Sequence, residues 1–576
     1  MRYDILTKMS AVALALSGLV ACNDLDEMPD NRTEMDTAEK IQQLLTSAYP
    51  QAVPAVICEL SSDNLVDNNV VLNATHNDAY SKFNDEAYKW DDINNYSTSE
   101  DDTPYQVWEA YYSGVAVCNH AIYAMQELSD NPAGDPSLSA SWGEALVLRA
   151  YLHFVLVNVF AETYKDANLS MADVGIPYVD EPESTVAVDY SQPRFLHSVK
   201  ETYDLIERDL LAGIGLIDDS KYKVPAYHFN KNAAHAFAAR FYLCKREYDK
   251  CIEHANAALG ASPQSVLRNW SNINQNTMES RQLGFNDETA ACNFLLQTTY
   301  SLQDRMLSAC RYAINQGTTF GNWAKDSTNM KQQGIMAEIP QVQSALSVLY
   351  EGGGPNWSGY LPAYDGNLYI WGRQEYGIWL FRVYEYFEYT DKIAGIGYVH
   401  MIYQPFTAEE TLLCRAEARL MTGDRSGAVA DLGIWTAGKK VTDPLTMSGI
   451  NNKYKGTAAT NDFVSAIHPE AISPEFPVLT GDDAAVLQCV LHFRRIETMF
   501  EGMRWFDIKR YGITVHHAYR GPQENDIHHD YLLPDDPRRI LQIPNNVLQA
   551  GYPSSRTTSG MGSTSGSLQT KPLLAK

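Results

Sequence analysis

Residues 230–263 read NKNAAHAFAARFYLCKREYDKCIEHANAALGASP, which is the most informative stretch of the sequence for the fold. It carries small side chains in two stripes, at Ala234, Ala238 and Ala239 and then at Cys251, Ala255 and Ala258. Small side chains at a contact let two helix axes come close together. The segment Glu247-Tyr248-Asp249 is predicted to form the turn, and Pro263 ends the second helix because its ring cannot continue one. The stretch therefore predicts two packed antiparallel helices.

The same scheme returns in residues 407–432, which place Ala416 and Ala428 on either side of a Gly423-Asp424 turn. Helical hairpins that repeat and stack in this way resemble tetratricopeptide repeats. The sequence therefore predicts a mostly α-helical fold built from such hairpins, although two unrelated helix pairs would give a similar pattern. Residues 141–160 are apolar on nearly every face, which predicts a further helix inside the bundle.

The beginning of the chain resembles the signal sequence of a bacterial lipoprotein. A short opening with Arg2 and Lys8 precedes an apolar run over residues 9–21, which is too short to span a bilayer. The run ends in Leu-Val-Ala-Cys at residues 19–22, which is similar to a lipobox. The resemblance implies a signal peptide at 1–21 and a palmitate-type acyl anchor on Cys22. An ordinary secreted protein with a chance cysteine is the alternative.

Composition limits the partners of the remaining chain. The formal net charge of −26 argues against nucleic acid and anionic membrane surfaces, which attract clustered Lys and Arg. Attachment to a membrane is therefore expected through the lipid anchor only. Residues 22–37 are acidic and contain Pro29, so they are predicted to be a solvated tether. The acidic residues behind Cys22 also resemble surface-export signals of Bacteroidetes lipoproteins.

The sequence contains no recognised motif for binding a metal ion or a cofactor. Of the nine cysteines, eight follow Cys22, and neither a CxxC pair nor a zinc-type Cys/His spacing occurs among them. They are predicted to be buried free thiols rather than disulfides. The paired histidines at 516–517 and 528–529 flank an acidic, Pro-containing loop and are predicted to be exposed rather than metal-bound. No metal site and no cofactor are predicted.

Residues 493–512 read FRRIETMFEGMRWFDIKRYG, which resembles the Arg-x-x-Glu, Glu-Gly-x-Arg and Asp-x-x-Arg-x-Gly signature of the SusD/RagB family. The residues themselves predict one helix with Ile496, Phe500 and Met503 directed inward. Opposite charges lie at spacings that allow pairing, namely Glu497 and Glu501 with Arg494, Arg504 and Arg510. Such a cluster indicates a structural ion-pair network rather than a catalytic site. Gly502 is expected where another backbone comes close.

Other segments are similar to the same family in the expected order. They include Gly143-Glu144-Ala145, Leu148-Arg149-Ala150-Tyr151 and Arg415-Ala416-Glu417-Ala418, whereas residues 435–438 and 549–551 depart from the family pattern. The resemblance implies a SusD-like fold, in which tetratricopeptide-like units carry a loop-rich binding subdomain. It also implies an outward-facing location on the outer membrane and a SusC-like TonB-dependent transporter as partner. Oligosaccharides are the usual ligands of such proteins, and some members bind peptides.

The chain is accordingly predicted to contain six parts. These are a signal peptide at 1–21, a tether at 22–37, an N-terminal helical region at 38–265, an aromatic-rich and loop-rich subdomain at 266–403, a C-terminal helical region at 404–556 and a flexible tail at 557–576.

The predicted ligand site consists of aromatic residues in segments without helical periodicity. An aromatic face can stack on the C–H groups of a sugar ring while polar neighbours hold its hydroxyls. The candidates are Trp90, Trp323, Trp357, Tyr360 and Trp371 for stacking, with Asn367 and Arg373 as hydrogen-bond partners. Each of them alone is also consistent with ordinary packing, since large aromatic side chains are buried on average.

Two other functions are consistent with a helical surface protein. A glycoside hydrolase needs two carboxylates at a set separation, and among 71 acidic residues some pair will always fit. The presence of carboxylates therefore decides nothing, and the motifs of other hydrolases, namely the nucleophile elbow, HExxH and Cys/His arrangements, are absent from the sequence. A structural adaptor would use the repeats to hold a protein. The sequence favours glycan capture without turnover, hence a binding protein and not an enzyme.

Overall fold

The computed structural model describes residues 35–67, 82–182, 192–273, 278–309, 311–313, 381–383, 385–439, 441, 444–454, 467–520 and 527–556. Over these ranges the protein is mostly α-helical, which confirms the predicted fold class. The signal peptide, Cys22 and most of the tether lie outside the described residues. The division into six parts stays a prediction.

The helices of the described residues are α1 (Ala38–Thr46), α2 (Ala55–Ser61), α3 (Lys82–Tyr88), α4 (Pro104–Leu128), α5 (Ser139–Phe160), α6 (Leu169–Ala172), α7 (Val199–Ile214), α8 (Lys231–Lys245), α9 (Tyr248–Leu259), α10 (Trp270–Ile273), α11 (Met278–Phe285), α12 (Gln303–Ala309), α13 (Ala408–Met421), α14 (Arg425–Gly438), α15 (Met447–Tyr454), α16 (Pro469–Ile472), α17 (Gly481–Glu497), α18 (Met503–Arg510) and α19 (Asn545–Gln549). The strands are β1 (Val66–Asp67), β2 (Asn293–Thr299), β3 (Tyr312–Ala313), β4 (Tyr386–Asp391), β5 (Ile396–Thr407), β6 (Val515–Arg520) and β7 (Ile527–Leu532).

Both predicted helical hairpins are present. Helices α8 and α9 form the first one, and its turn follows Lys245, where Arg246 adopts the left-handed conformation with φ 65°. Helices α13 and α14 form the second, with the turn at Gly423, whose φ is 88°. Helix α9 of the first hairpin packs against α13 of the second, so the hairpins stack as tetratricopeptide-type units do.

Helix α5 is the most deeply buried element, between α4 and α7. It is long and apolar enough to cross a membrane, but its apolar segment is completely buried by the rest of the protein, as in a core helix. Gly143 on α5 and Gly213 on α7 meet where the two helices cross, because a side chain at either position would lie under 3.0 Å from the other backbone. The close approach of the two helices therefore explains why the Gly-Glu-Ala segment has a glycine at position 143.

Three small antiparallel sheets accompany the helices. Strands β2, β5 and β4 form a sheet in that order, while β1 pairs with β3 and β6 with β7. Part of residues 266–403, predicted to be loop-rich, therefore has regular structure. Strand β5 runs directly into α13, where Thr407 accepts a hydrogen bond from the Glu410 N–H at 3.3 Å. The three-stranded sheet is thus joined to the second helical hairpin.

The signature segment forms two helices rather than the single helix predicted. Helix α17 ends at Glu497 and α18 begins at Met503, with Phe500 and Gly502 between them at φ 66° and 78°. The expectation for Gly502 is confirmed, because an added Cβ would lie 3.0 Å from the Cα of Ala55 on α2. The Gly502 N–H also donates to a Glu59 carboxylate oxygen at 2.9 Å. The break is set by this contact with α2.

Glu417 on α13 is the centre of a buried ion-pair network. Its carboxylate accepts hydrogen bonds from Arg510 at 2.8 and 3.1 Å, from Arg494 at 3.2 Å and from the Tyr511 hydroxyl at 2.6 Å. Asp507 adds a second carboxylate, 2.9 Å from Arg510 and 3.3 Å from Arg494. Burial acts to raise the pKa of Asp507, but the two arginines outweigh it and the pKa is lowered. All five side chains are buried, as a structural network requires.

The predicted network is therefore confirmed as structural, but its predicted pairs are wrong. Arg504 pairs with Asp63 through two contacts of 2.8 Å, and Glu501 pairs with Arg382. Glu497 accepts hydrogen bonds from Lys439 at 2.6 Å and Trp435 at 2.9 Å. The partners come from distant parts of the chain, because the break after α17 separates charges that one helix would bring together.

The cysteines of the described residues agree with the prediction of buried free thiols. They are Cys58, Cys118, Cys244, Cys251, Cys292 and Cys414, and Cys489 is buried as well.

Replacing Glu417 with Gln is expected to lower the free energy of unfolding by about 3–5 kcal/mol, because Arg494 and Arg510 lose one of the buried carboxylates that balance their charges and keep Asp507. Urea unfolding followed by circular dichroism measures the change. The control is Glu127→Gln on the exposed side of α4, expected to stay within about 0.5 kcal/mol of wild type. Equal stability of the two variants would contradict this role of Glu417.

Replacing Gly502 with Ala is expected to destabilise the protein by about 1–3 kcal/mol, because the side chain strains a left-handed residue and presses on α2. The matched control is Gly433→Ala in α14, where an added Cβ meets nothing within 4 Å. Alanine there is expected to stabilise the helix by about 0.5–1 kcal/mol. Thermal unfolding measures the stability of the two variants. A Gly502→Ala protein as stable as Gly433→Ala would contradict this role of Gly502.

Candidate ligand-binding surface

Six of the seven predicted ligand residues fall in one segment of the chain. Trp323, Trp357, Tyr360, Asn367, Trp371 and Arg373 lie outside the described residues, between β3 and β4 in the chain. Their role in ligand binding stays a prediction. Trp90 is the one predicted site residue whose position is described.

Trp90 is buried rather than presented to a ligand. Its side chain is 1% exposed, and its indole N–H donates to the Ser61 carbonyl at 2.7 Å. One ring face stacks on His517 with centroids 4.2 Å apart, and the Arg538 guanidinium lies 5.6 Å from the ring centroid. A ring held in this way offers no face to a sugar. The structure therefore does not support Trp90 as a stacking residue, although its polar neighbours in the sequence suggested exposure.

His517 also differs from its prediction, because it lies in the core between two aromatic rings. The rings of Tyr312, Tyr88, His517 and Trp90 form a column with successive centroids 4.2, 4.1 and 4.2 Å apart. The His517 ring nitrogens lie 2.6 and 2.8 Å from the carbonyl oxygens of Tyr88 and Ser62. The column joins α3, β3 and β6 and is a packing feature. His528 and His529, by contrast, are exposed as predicted.

The three-stranded sheet presents a second set of aromatic side chains, and these reach the surface. Strand β4 and the first half of β5 are half-buried or exposed, whereas the end of β5 beside α13 is buried. Tyr386 lies opposite His400 and Glu388 opposite Tyr398 in the register of the two strands. Alternate residues of a strand point to the same side, so these four share one face. We call them, together with Tyr300 just beyond β2, the tyrosine face.

Ring contacts hold the tyrosine face together. Tyr386 stacks on His400 with centroids 5.5 Å apart, and Tyr300 meets Tyr398 edge to face at 5.1 Å. Glu388 adds a carboxylate 4.0 Å from the His400 Nδ1. The backbone N–H of Tyr300 donates to the Gln51 carbonyl at 2.8 Å, which ties the edge of the face to the N-terminal helical region.

The electrostatics of the tyrosine face suit a neutral, hydroxyl-rich ligand. Hydrogen bonds with Glu388 and Tyr300 raise the pKa of Tyr398 to about 12, so its hydroxyl keeps its proton. Burial lowers the pKa of His400, and the nearby Glu388 opposes this shift only in part. The imidazole is consequently neutral near pH 7. The face then offers hydroxyl and imidazole groups for hydrogen bonds, with one carboxylate among them.

The opposite side of the β4–β5 hairpin is apolar. Phe387 and Tyr389 are 48% and 52% exposed and meet edge to face at 4.8 Å. The Phe387 ring covers Gly397 on β5, where a Cβ would lie 2.7 Å from it. At the tip, Asp391 accepts hydrogen bonds from the backbone N–H groups of Ile393 and Ala394 at 2.9 and 3.0 Å. The hairpin is thus a defined structure with aromatic side chains on both faces.

The chemistry of the tyrosine face suits the binding of a sugar. Aromatic rings with adjacent hydroxyl groups and a carboxylate match what sugar rings require. Among the described residues no group of three or more His, Cys, Asp or Glu side chains could hold a metal ion.

The residues of the tyrosine face are not among the ligand residues predicted from the sequence. The signal that would have found them is a pair of short segments rich in aromatic and β-branched residues, 386–390 and 396–403, separated by a Gly-containing turn at 391–395.

Comparison with known proteins gives consistent results over most of the chain. Residues 24–243 match a SusD-like family described as starch-binding and associating with the outer membrane, and residues 311–549 match the SusD family. The SusD-like protein P38 of Formosa agariphila is 29% identical over 200 residues, which are 34% of this chain. That match spans only 33% of the relative's own length.

Solved structures show the same fold. A SusD superfamily protein from Bacteroides fragilis superposes with a TM-score of 0.52 at 16% identity, over 90% of this chain and 99% of that one. A putative sugar binding protein from Bacteroides vulgatus gives a TM-score of 0.52 at 17% identity, over 90% and 98%. The two family matches cover both helical regions in order, and the signature segment lies within the second. The chain belongs to the SusD/RagB family.

Proposed function

We propose that this protein captures oligosaccharides at the cell surface and delivers them to a SusC-like TonB-dependent transporter. The observation that carries the proposal is the tyrosine face, in which Tyr386, Tyr398 and Tyr300 come together with Glu388 at the surface of a sheet fixed to the helical frame. Sugars combine flat C–H patches with hydroxyl groups, and this face supplies partners for both.

Family membership supports the location and the partner. One matching family is described as starch-binding and associating with the outer membrane. A lipid anchor on Cys22 would hold the protein there, facing outward. The SusC-like transporter is an expectation from the family resemblance, and a protein that binds without turnover needs such a route for its ligand.

Glycoside hydrolysis is less well supported. The reaction requires two carboxyl groups separated by about 5–10 Å across the sugar. Glu388 is the only carboxylate within the tyrosine face as the described residues define it. We therefore propose a binding protein and not an enzyme.

Peptide capture is the alternative that a specific observation favours. Strand β4 ends the order β2-β5-β4 in the described sheet. An extended peptide can add to the outer edge of such a strand through main-chain hydrogen bonds, with alternate side chains on either face. Glycans and peptides must consequently be tested side by side.

The proposal is tested by calorimetric titration of the soluble mature chain, in which Cys22 is omitted so that the chain begins at Asn23. The titrants are a panel of oligosaccharides and peptides, and hydrolysis is followed in parallel. We expect saturable binding of one glycan class without product. If only peptides bind, the ligands of this protein are peptides and not glycans. Steady product formation would contradict the assignment as a binding protein.

Replacing Tyr398 with Ala is expected to weaken glycan binding about tenfold or more, because a stacking surface and a hydroxyl are lost together. Tyr398→Phe keeps the ring and is expected to retain part of the affinity. The control is Tyr123→Ala, since Tyr123 is 52% exposed on α4 and lies outside the tyrosine face. Titration of the three variants checks this. Unchanged affinity in Tyr398→Ala would move the glycan site away from this face.

A further inference from the structure

Two histidines face each other across the β6–β7 hairpin. His516 lies on β6 opposite Tyr531, and His529 lies on β7 opposite Ala518. The two imidazoles therefore project on the same side of the hairpin as diagonal neighbours. The Nε2 of His516 is 3.0 Å from the Nδ1 of His529, and the ring centroids are 5.2 Å apart at an interplanar angle of 19°.

The surroundings fix one ring and leave the other open to solvent. His516 is half-buried and stacks on Tyr531 with centroids 4.4 Å apart at 8°. His529 is exposed. Asp530 is held 2.7 Å from Arg538, and His528 stacks on Tyr519 at 5.4 Å. The register therefore places His516 and His529 on one face of the hairpin, and Asp530 and His528 on the other.

The distance between the two nitrogens matches a particular kind of metal coordination. Imidazole nitrogens bind Zn²⁺ at about 2.0–2.1 Å, and similar lengths at a right angle place two nitrogens about 2.9 Å apart. A right angle belongs to square-planar or tetragonal coordination, which Cu²⁺ and Ni²⁺ prefer, whereas tetrahedral Zn²⁺ needs a wider separation. In the absence of metal the two nitrogens share a hydrogen bond, so one of them carries a proton. Transfer of that proton to the other nitrogen of its own ring, with a small rotation of the exposed His529 ring, would direct both lone pairs at one ion.

We propose that His516 and His529 form a two-ligand binding site for a divalent transition metal ion, with Cu²⁺ or Ni²⁺ as the preferred ions. Among the described residues no group of three or more His, Cys, Asp or Glu side chains could hold a metal ion, so the proposal rests on the two imidazoles alone. The bound ion links β6 to β7. The sequence pattern gave no indication of the site, because the two ligands are thirteen residues apart and meet only through strand pairing.

Titration of the mature chain with Cu²⁺, followed by calorimetry, tests the site. The protein is purified without a histidine tag and carries His235→Gln, because His235 and His254 form a second facing pair with Nδ1 atoms 2.9 Å apart. We expect one equivalent of Cu²⁺ to bind. His516→Gln and His529→Gln are each expected to weaken this binding about tenfold or more, as losses in a metal ligand shell do.

The matched control is His528→Gln, which changes an exposed histidine next to the site but on the other face and is expected to leave Cu²⁺ binding unchanged. Electron paramagnetic resonance of the Cu²⁺ complex is expected to show coupling to two imidazole nitrogens. If His516→Gln fails to fold, the exposed His529→Gln carries the test. Absence of saturable binding, equal affinity in all three variants, or coupling to a single nitrogen would overturn the proposal.

Discussion

The buried carboxylate of Glu417 holds three helices of this structure together through ion pairs with two arginines. It lies on the first helix of the second hairpin and balances Arg494 on α17 and Arg510 on α18. Two buried guanidinium groups without a counter-charge would cost several kcal/mol each, so the three helices are stable only together. Asp63 balances the charge of Arg504 in the same way, and this ion pair links the loop after α2 to α18. Charge balance thus holds the N- and C-terminal helical regions in one frame.

This frame sets where the ligand-binding surface lies. Strand β5 is buried where it enters α13 and becomes exposed toward Ile396. The carbonyls of Pro50 and Gln51 accept hydrogen bonds from Gln297 at 2.6 Å and from the Tyr300 N–H at 2.8 Å, which fix the neighbouring strand. The sheet is therefore anchored at its buried end and carries its aromatic side chains outward. An anchored surface loses little conformational freedom when a ligand binds, which favours affinity.

The helical hairpins could be predicted because their signals are local. Small residues and turns at Gly423 and Pro263 lie within one or two turns of the helices that they shape. The ion pairs could not be predicted, since Arg494 and Glu417 are 77 residues apart and only the folded chain brings them together. Trp90 was misjudged for a related reason. Its neighbours in sequence are polar, but its contacts in space are Ser61, His517 and Arg538.

The candidate site was predicted less well than the fold. An isolated tryptophan in a polar segment is a weak signal for a binding site, and the aromatic residues of β4 and β5 meet only through cross-strand pairing. The central claim is that glycan rings stack on the tyrosine face. A crystal structure of the mature chain with an oligosaccharide that it binds tests this most directly. The account predicts a sugar ring in van der Waals contact with Tyr386, Tyr398 or Tyr300, and a bound sugar that touches none of them would contradict it.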